Sequence, residues 1–482
     1  MSNLTDLLPA GAGGKQVDFV ASGTIGNGVT VGLNSDGTVE AVAAFSAGTG
    51  SEVVYETGST TRNSSVYDTS SEKVIIAYTD IGNSYYGTAV VGTVSGKSIS
   101  FGSPVVFTST NTQAPSITHD TNANKIVIGY RDNDTGGRGN AVVGTVSGTS
   151  ISFGTTVNWT TRLTDGISAT YDSSTQKVVF AYRDEQSNLF YGTAIVGTVS
   201  GTSISFGSSS YFNSANTSEI SAFYDSTAEK IVIGYRDNGD SSYGKAKVAT
   251  VSGTSISFGS DSTFEAASTS DISGAYDSTN NKTVFVYSDG GNSSRGTAVV
   301  GTVSGTSISF GTPVVFETGG INNSKAAFDS TAGKIVVVYE DSDNSDYGTY
   351  NVGTVSGTSI SFETPAVFNA ASTSWPSISF DSSQGISVFA YIDQGNSNRG
   401  TAICFQNAGT NVADFIGISD AAISDTATGS VTIKGGISTN VTGLTPNATY
   451  YVQDNGTLAT TSSDVLAGKA LSATSINLDY TT

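Results

Sequence analysis

One cysteine, one histidine and one methionine in 482 residues leave much of side-chain catalysis and metal chemistry without its parts. A lone Cys404 excludes an intramolecular disulfide framework, so the chain neither needs nor reports an oxidising compartment. A lone His119 removes the usual proton shuttle near neutral pH, and with it nucleophilic triads and His/Cys metal sites. Positive charge is scarce too: 21 Lys and Arg stand against 41 Asp and Glu, a net charge of -20 with a pI of about 4.2. That balance disfavours a grip on nucleic acid or an anionic membrane. No apolar run reaches the roughly eighteen residues of a membrane span, and residues 1–14 lack the apolar core of a signal peptide. Neither a span nor an export signal is expected.

Repetition fills the space these absences leave. An aspartate recurs at Asp68, Asp120, Asp172, Asp225, Asp277, Asp329 and Asp381, 52 residues apart except for one step of 53 between Asp172 and Asp225. A second follows twelve residues after each, at Asp80, Asp132, Asp184, Asp237, Asp289, Asp341 and Asp393. A fixed period near fifty, made of short apolar runs split by Gly, Ser and Asn, indicates one supersecondary unit copied in tandem, as in propeller blades. The third copy divides at its turn residues into runs at 167–171, 177–182, 193–199 and 204–206, rich in Val, Ile, Phe and Tyr, with no helical period. Aspartate at the first position of a turn accepts a backbone N–H two residues on, so both posts read as turn-makers.

The seventh copy lacks the phrase Gly-Thr-Val-Ser-Gly-Thr-Ser-Ile-Ser-Phe seen at 301–310, and with it a fourth strand. Ahead of the first copy lies an orphan stretch at 39–45 and 53–57, where Val53-Val54-Tyr55-Glu56-Thr57-Gly58 matches Val314-Val315-Phe316-Glu317-Thr318-Gly319. Supplying the missing strand from the N-terminus would pair an exposed edge and close a ring. The expected fold is all-β: an arm at 1–16, a seven-bladed β-propeller at 17–406 closed by an N-terminal strand, and a small C-terminal β domain at 407–482. In that last domain Asp454-Asn455-Gly456 signals a hairpin.

His119 stands where other copies carry Tyr67, Tyr171, Tyr224, Tyr276, Phe328 or Phe380, and Cys404 where earlier ones carry Val91, Val143, Val196 and Val300. Both read as packing. A glycosidase needs only two carboxylates, but a catalytic pair should break the repeat, and no spacing singles out such asymmetric acids as Glu185, Glu340 and Asp346. No enzyme activity, cofactor or metal is expected. Variation concentrates after the shared Tyr of the second strand, in a loop expected on the rim opposite the Asp-Ser-Ser turns. There Arg131, Arg183 and Arg236 form a basic sector, and Arg138, Tyr191, Tyr243, Arg295 and Arg399 precede the repeated glycine. Aromatic faces and guanidinium forks suit sugars and carboxylate-bearing glycans; stacking of Tyr on Arg between blades is the structural alternative.

The arm Leu4-Thr5-Asp6-Leu7-Leu8-Pro9-Ala10-Gly11, with Val17-Asp18-Phe19-Val20-Ala21-Ser22-Gly23, resembles the start of marine (cyanophage-like) bacteriophage structural proteins. Phe415-Ile416-Gly417-Ile418, Thr449-Tyr450-Tyr451-Val452-Gln453 and Ala467-Gly468-Lys469-Ala470-Leu471 are similar to a module at the ends of such proteins. The middle repeats resemble those of fibre components. The resemblance implies a virion surface protein, made in the host cytoplasm, that contacts other virion proteins through its arm and C-terminal domain. It also implies a homo-trimer as the expected assembly; a host surface glycan is the contact expected of the variable rim from its Tyr and Arg residues. The alternatives are a polysaccharide-degrading glycosidase or lyase on the virion, and a non-viral propeller scaffold.

Overall fold

Within each copy the apolar run after the first aspartate is buried on both faces, which makes it a central strand. The computed structural model describes residues 15–34, 36–186 and 189–478. In its second copy the first strand is the C-terminal half of Val105–Asp120, the second Lys125–Asp132 and the third Arg138–Ser147. The fourth is Ser150–Phe153, continued by the N-terminal half of Val157–Asp172. All pairings are antiparallel. Ile126, Val127 and Ile128 are fully buried because neighbouring copies cover both faces of their sheet. Each first-post aspartate accepts backbone N–H groups two and three residues on, as Asp277 does from Thr279 and Asn280 at 2.9 Å.

The long strands carry the ring from copy to copy. Val157–Asp172 pairs through Val157 and Asn158 with the third strand of one copy, and through 168–172 with the second strand of the next. A bulge between Asp165 and Ser168 makes the switch. At this bulge every copy places one residue in the left-handed region: Arg62, Ala114, Gly166, Glu219, Asp271, Asn323 and Trp375, with φ between 49° and 56°. Serines two residues on tie neighbouring copies together: Ser116 and Ser168 accept the N–H groups of Ala169 and Ala222 at 2.9 Å.

The N-terminal strand closes the circuit. Val53, Val54, Glu56 and Ser59 pair with Ala402, Thr401, Gly400 and Arg399, the register in which Val314, Val315, Glu317 and Gly320 pair with Ala298, Thr297, Gly296 and Arg295. Tyr391 donates to Glu52 at 2.8 Å, and Ser377 to Ser65 at 3.2 Å. The pairings thus pass through all seven copies and return to the first.

The domain boundary differs from the expected one. The ring unit is Thr49–Gln406, while the described residues of 15–48 join those of 407–478 in a second unit, so 17–48 lies outside the ring. Gln16–Val20 pairs with Thr428–Ile433, and Val39–Ala41 pairs with Thr30–Leu33 and not with the seventh copy. The reason is a shared core: Ile25, Val31 and Val39 pack against Ile423, Val431 and Ile433. Of the expected arm at 1–16, residues 1–14 lie outside the described residues, and Gln16 begins a strand. In the same unit Thr449–Val452 and Leu458–Ala459 form the expected hairpin, with Gly456 at φ 78°.

Candidate ligand site at the central cavity

The bulges of all seven copies face a common cavity of about 490 Å³, lined by Arg62, Pro115, Gly166, Glu219, Ile272, Lys325 and Trp375 among others. The residue after the shared Tyr of each second strand reaches the same region, since its register partner lies just before the bulge, as Arg131 with Gln113. The acids here hold backbone. Glu219 accepts the N–H of Asp271 at 3.1 Å, and Asp271 that of Asn323 at 2.8 Å. Glu340 accepts the Trp375 N–H at 2.8 Å and the Asn323 amide at 2.7 Å through one oxygen. Each carboxylate therefore caps the left-handed residue of a following copy.

Burial sets the electrostatics. It pushes the Glu340 carboxyl up to about 7, against the two hydrogen bonds that favour its charge, with Asp271 and Asp346 adding repulsion. The Glu219 carboxyl also rises through burial and the nearby Asp271, opposed by Lys325. Burial works against the charge of Asp165, but Arg183, hydrogen-bonded at 2.5 Å, outweighs it and holds that carboxyl below the usual range. Arg131 approaches the same oxygen at 3.8 Å.

Trp375 is 39% exposed, with the Arg62 guanidinium 5.1 Å from its ring centroid. Asn63 completes its fixation: oriented to donate to the Trp375 carbonyl, its amide also accepts from the Tyr55 hydroxyl at 3.2 Å.

Among solved structures, the chain is similar to the BP39L lectin from Burkholderia pseudomallei, at 9% identity over 74% of this chain and 98% of that one, TM-score 0.54. It is also similar to the Cps50 (Swd1) β-propeller domain of Myceliophteria thermophila, at 8% identity over 73% and 99%, TM-score 0.49. A leech intramolecular trans-sialidase matches at 10% identity over 73% and 68%, TM-score 0.41. The ring is a β-propeller. No family model and no curated protein matches the sequence. At these identities the likeness is of fold alone.

The propeller separates the eight residues singled out from the sequence. Arg183 lines the cavity, Arg131 shares its Asp165 partner, and Arg236 donates to Ser242 at 3.0 Å with Glu219 in its field. Arg138, Tyr243, Arg295 and Arg399 begin third strands and Tyr191 is the third residue of Leu189–Ser200; all five pair with second aspartate posts and do not line the cavity. Among the described residues the outer set makes other contacts. Tyr191 packs edge-on against Tyr211 at 5.4 Å, Arg295 donates to the Thr318 carbonyl at 3.2 Å, and Arg399 donates to Asn396 at 3.2 Å. The insertion in the third copy lengthens a hairpin, pairing Glu185 with Phe190, and the Arg183 guanidinium lies 4.8 Å from the Phe190 ring centroid.

Arg62, Asp165, Glu219, Asp271, Lys325 and Trp375 belong to no motif in the sequence, and no spacing rule singles out Glu340. One signal was available: the column Arg62, Ala114, Gly166, Glu219, Asp271, Asn323, Trp375 holds seven different residues, whereas the shared Tyr of the second strand is the same in every copy. His119 and Cys404 sit in packing positions. His119 Nε2 lies 3.0 Å from Asp68 of the preceding copy without hydrogen-bond alignment; burial lowers its pKa, and Asp68 and Asp120 partly restore it. Cys404 is fully buried, and burial pushes its thiol up to about 12.

Proposed function

We propose that this chain is a bacteriophage virion surface component whose propeller binds a ligand at its central cavity and performs no reaction. One observation carries the binding reading. The repeat keeps its packing residues alike in every copy, yet its seven left-handed residues are all different, and Arg62, Ala114, Gly166, Glu219 and Trp375 among them line the cavity. Symmetry accounts for the ring, and departure from symmetry at a concave polar surface marks recognition. The virion location rests on the resemblance of the two ends of the chain to phage structural proteins.

Binding is favoured over hydrolysis by what the acids do. Glu219, Asp271 and Glu340 accept backbone N–H groups, and Asp165 is occupied by Arg183. Immunogold labelling of purified particles with an antibody against the propeller tests the location: surface label is expected, and protein confined to the soluble fraction of the lysate would overturn it. Reducing-end release from a panel of polysaccharides tests the absence of a reaction; sustained release that survives repurification would overturn that part.

A further inference from the structure

We propose that the central cavity is a site for a carboxylated saccharide, with Trp375 as the face on which a sugar ring stacks and Arg62 as the cation that receives its carboxylate. This deepens the binding reading above and rests on it.

Trp375 carries the argument. Its φ of 50° is that of the bulge residue in every copy, so the ring sets its backbone and leaves the choice of side chain open. Two polar clamps hold it there, Glu340 on its N–H and Asn63 on its carbonyl. The indole so fixed is nevertheless 39% exposed. The other tryptophan shows the contrasting case: Trp159 stacks on Phe180 at 4.8 Å and 12° within a core. A fixed aromatic face at a polar cavity matches the apolar face of a pyranose.

Charge selects the class of sugar. Arg62, Arg183 and Lys325 line the cavity with Asp165 and Glu219, on a chain of net charge -20. Arg183 is taken by Asp165, but among the described residues no carboxylate lies within ion-pair distance of Arg62. Its guanidinium lies over the indole at 5.1 Å with no carboxylate on its N–H fork, and a ligand carboxylate beside the indole matches that fork. Arg62 belongs to the first copy and Trp375 to the seventh, so closure of the ring brings the two together.

The test uses the full chain carrying Trp159→Phe, which leaves Trp375 as the sole tryptophan. Oligogalacturonate, its methyl ester and a neutral oligoglucoside are titrated, with fluorescence and calorimetry as readouts. Saturable quenching is expected with oligogalacturonate, at least about tenfold tighter than with either uncharged ligand. Arg62→Met should remove that preference. In the chain with its native Trp159, Trp375→Ala should abolish the calorimetric signal while Trp375→Phe retains part of it, each with an unchanged melting profile. Equal affinity for charged and neutral sugars, binding unaffected by Trp375→Ala, or no saturable signal at millimolar ligand would overturn the proposal. Particle labelling is a separate measurement, so failure of the virion assignment remains distinguishable from failure of this site.

Discussion

At residue scale the unusual carboxyl is Glu340. Its folded pKa of about 7 lies above the ordinary 4.5, so the folded protein holds a proton that the unfolded chain releases. Stability from this group is full below about pH 4.5 and declines as pH rises through 7, by an amount on the order of 1–3 kcal/mol. Glu340→Gln retains an acceptor for Trp375 and should flatten that decline in urea titrations between pH 5 and pH 8. His119 has the opposite sign. Burial lowers its pKa, so the unfolded state binds the proton more readily, and stability falls as pH drops through the ordinary value of 6.5. His119→Tyr, the residue found in four other copies, should remove this loss between pH 7 and pH 5 in the same assay. The packing roles of His119 and Cys404 were legible from their columns. Glu340 was visible only as an asymmetric acid, since its partner Trp375 is distant in sequence and φ 50° has no signature in a tryptophan.

At the scale of strands, closure rests on Tyr55, which packs against Tyr78 at 5.3 Å and Phe101 at 5.7 Å. Tyr55→Ala should cost about 3–5 kcal/mol in chemical denaturation, as expected for a buried aromatic. Gly400 lies beneath the same ring, where a Cβ would collide with it. Gly400→Val should therefore destabilise too, and the double variant should lose less than the sum, because both act on one contact. The closing strand was legible because residues 53–58 match residues 314–319. The continuous sixteen-residue strands were not, because a bulge lets one strand serve two sheets without any break in composition.

At the scale of the whole molecule, residues 49–406 should fold as a ring, whereas a chain of residues 60–406 leaves the third strand Arg399–Gln406 unpaired along its outer edge. The first should elute as a compact species with a cooperative melt, and the second should aggregate; equal behaviour of the two would contradict closure by residues 53–59. The tandem unit was legible from the period, and its closure from the strand missing in the seventh copy. The place of residues 17–48 was not, since short strands at 16–20, 30–33 and 39–41 carry no mark of which sheet they join.

Pairing of Val53 with Ala402 also orders events in time. The ribosome releases the first of these residues early and the second only after almost the entire wheel has been made. Nascent chains must therefore wait with both rims of a growing arc unsealed, and the final seam carries the entropy of joining distant points on the chain. Slow translation late in the message would prolong that wait, so the yield of active protein depends on how quickly its last copy leaves the ribosome.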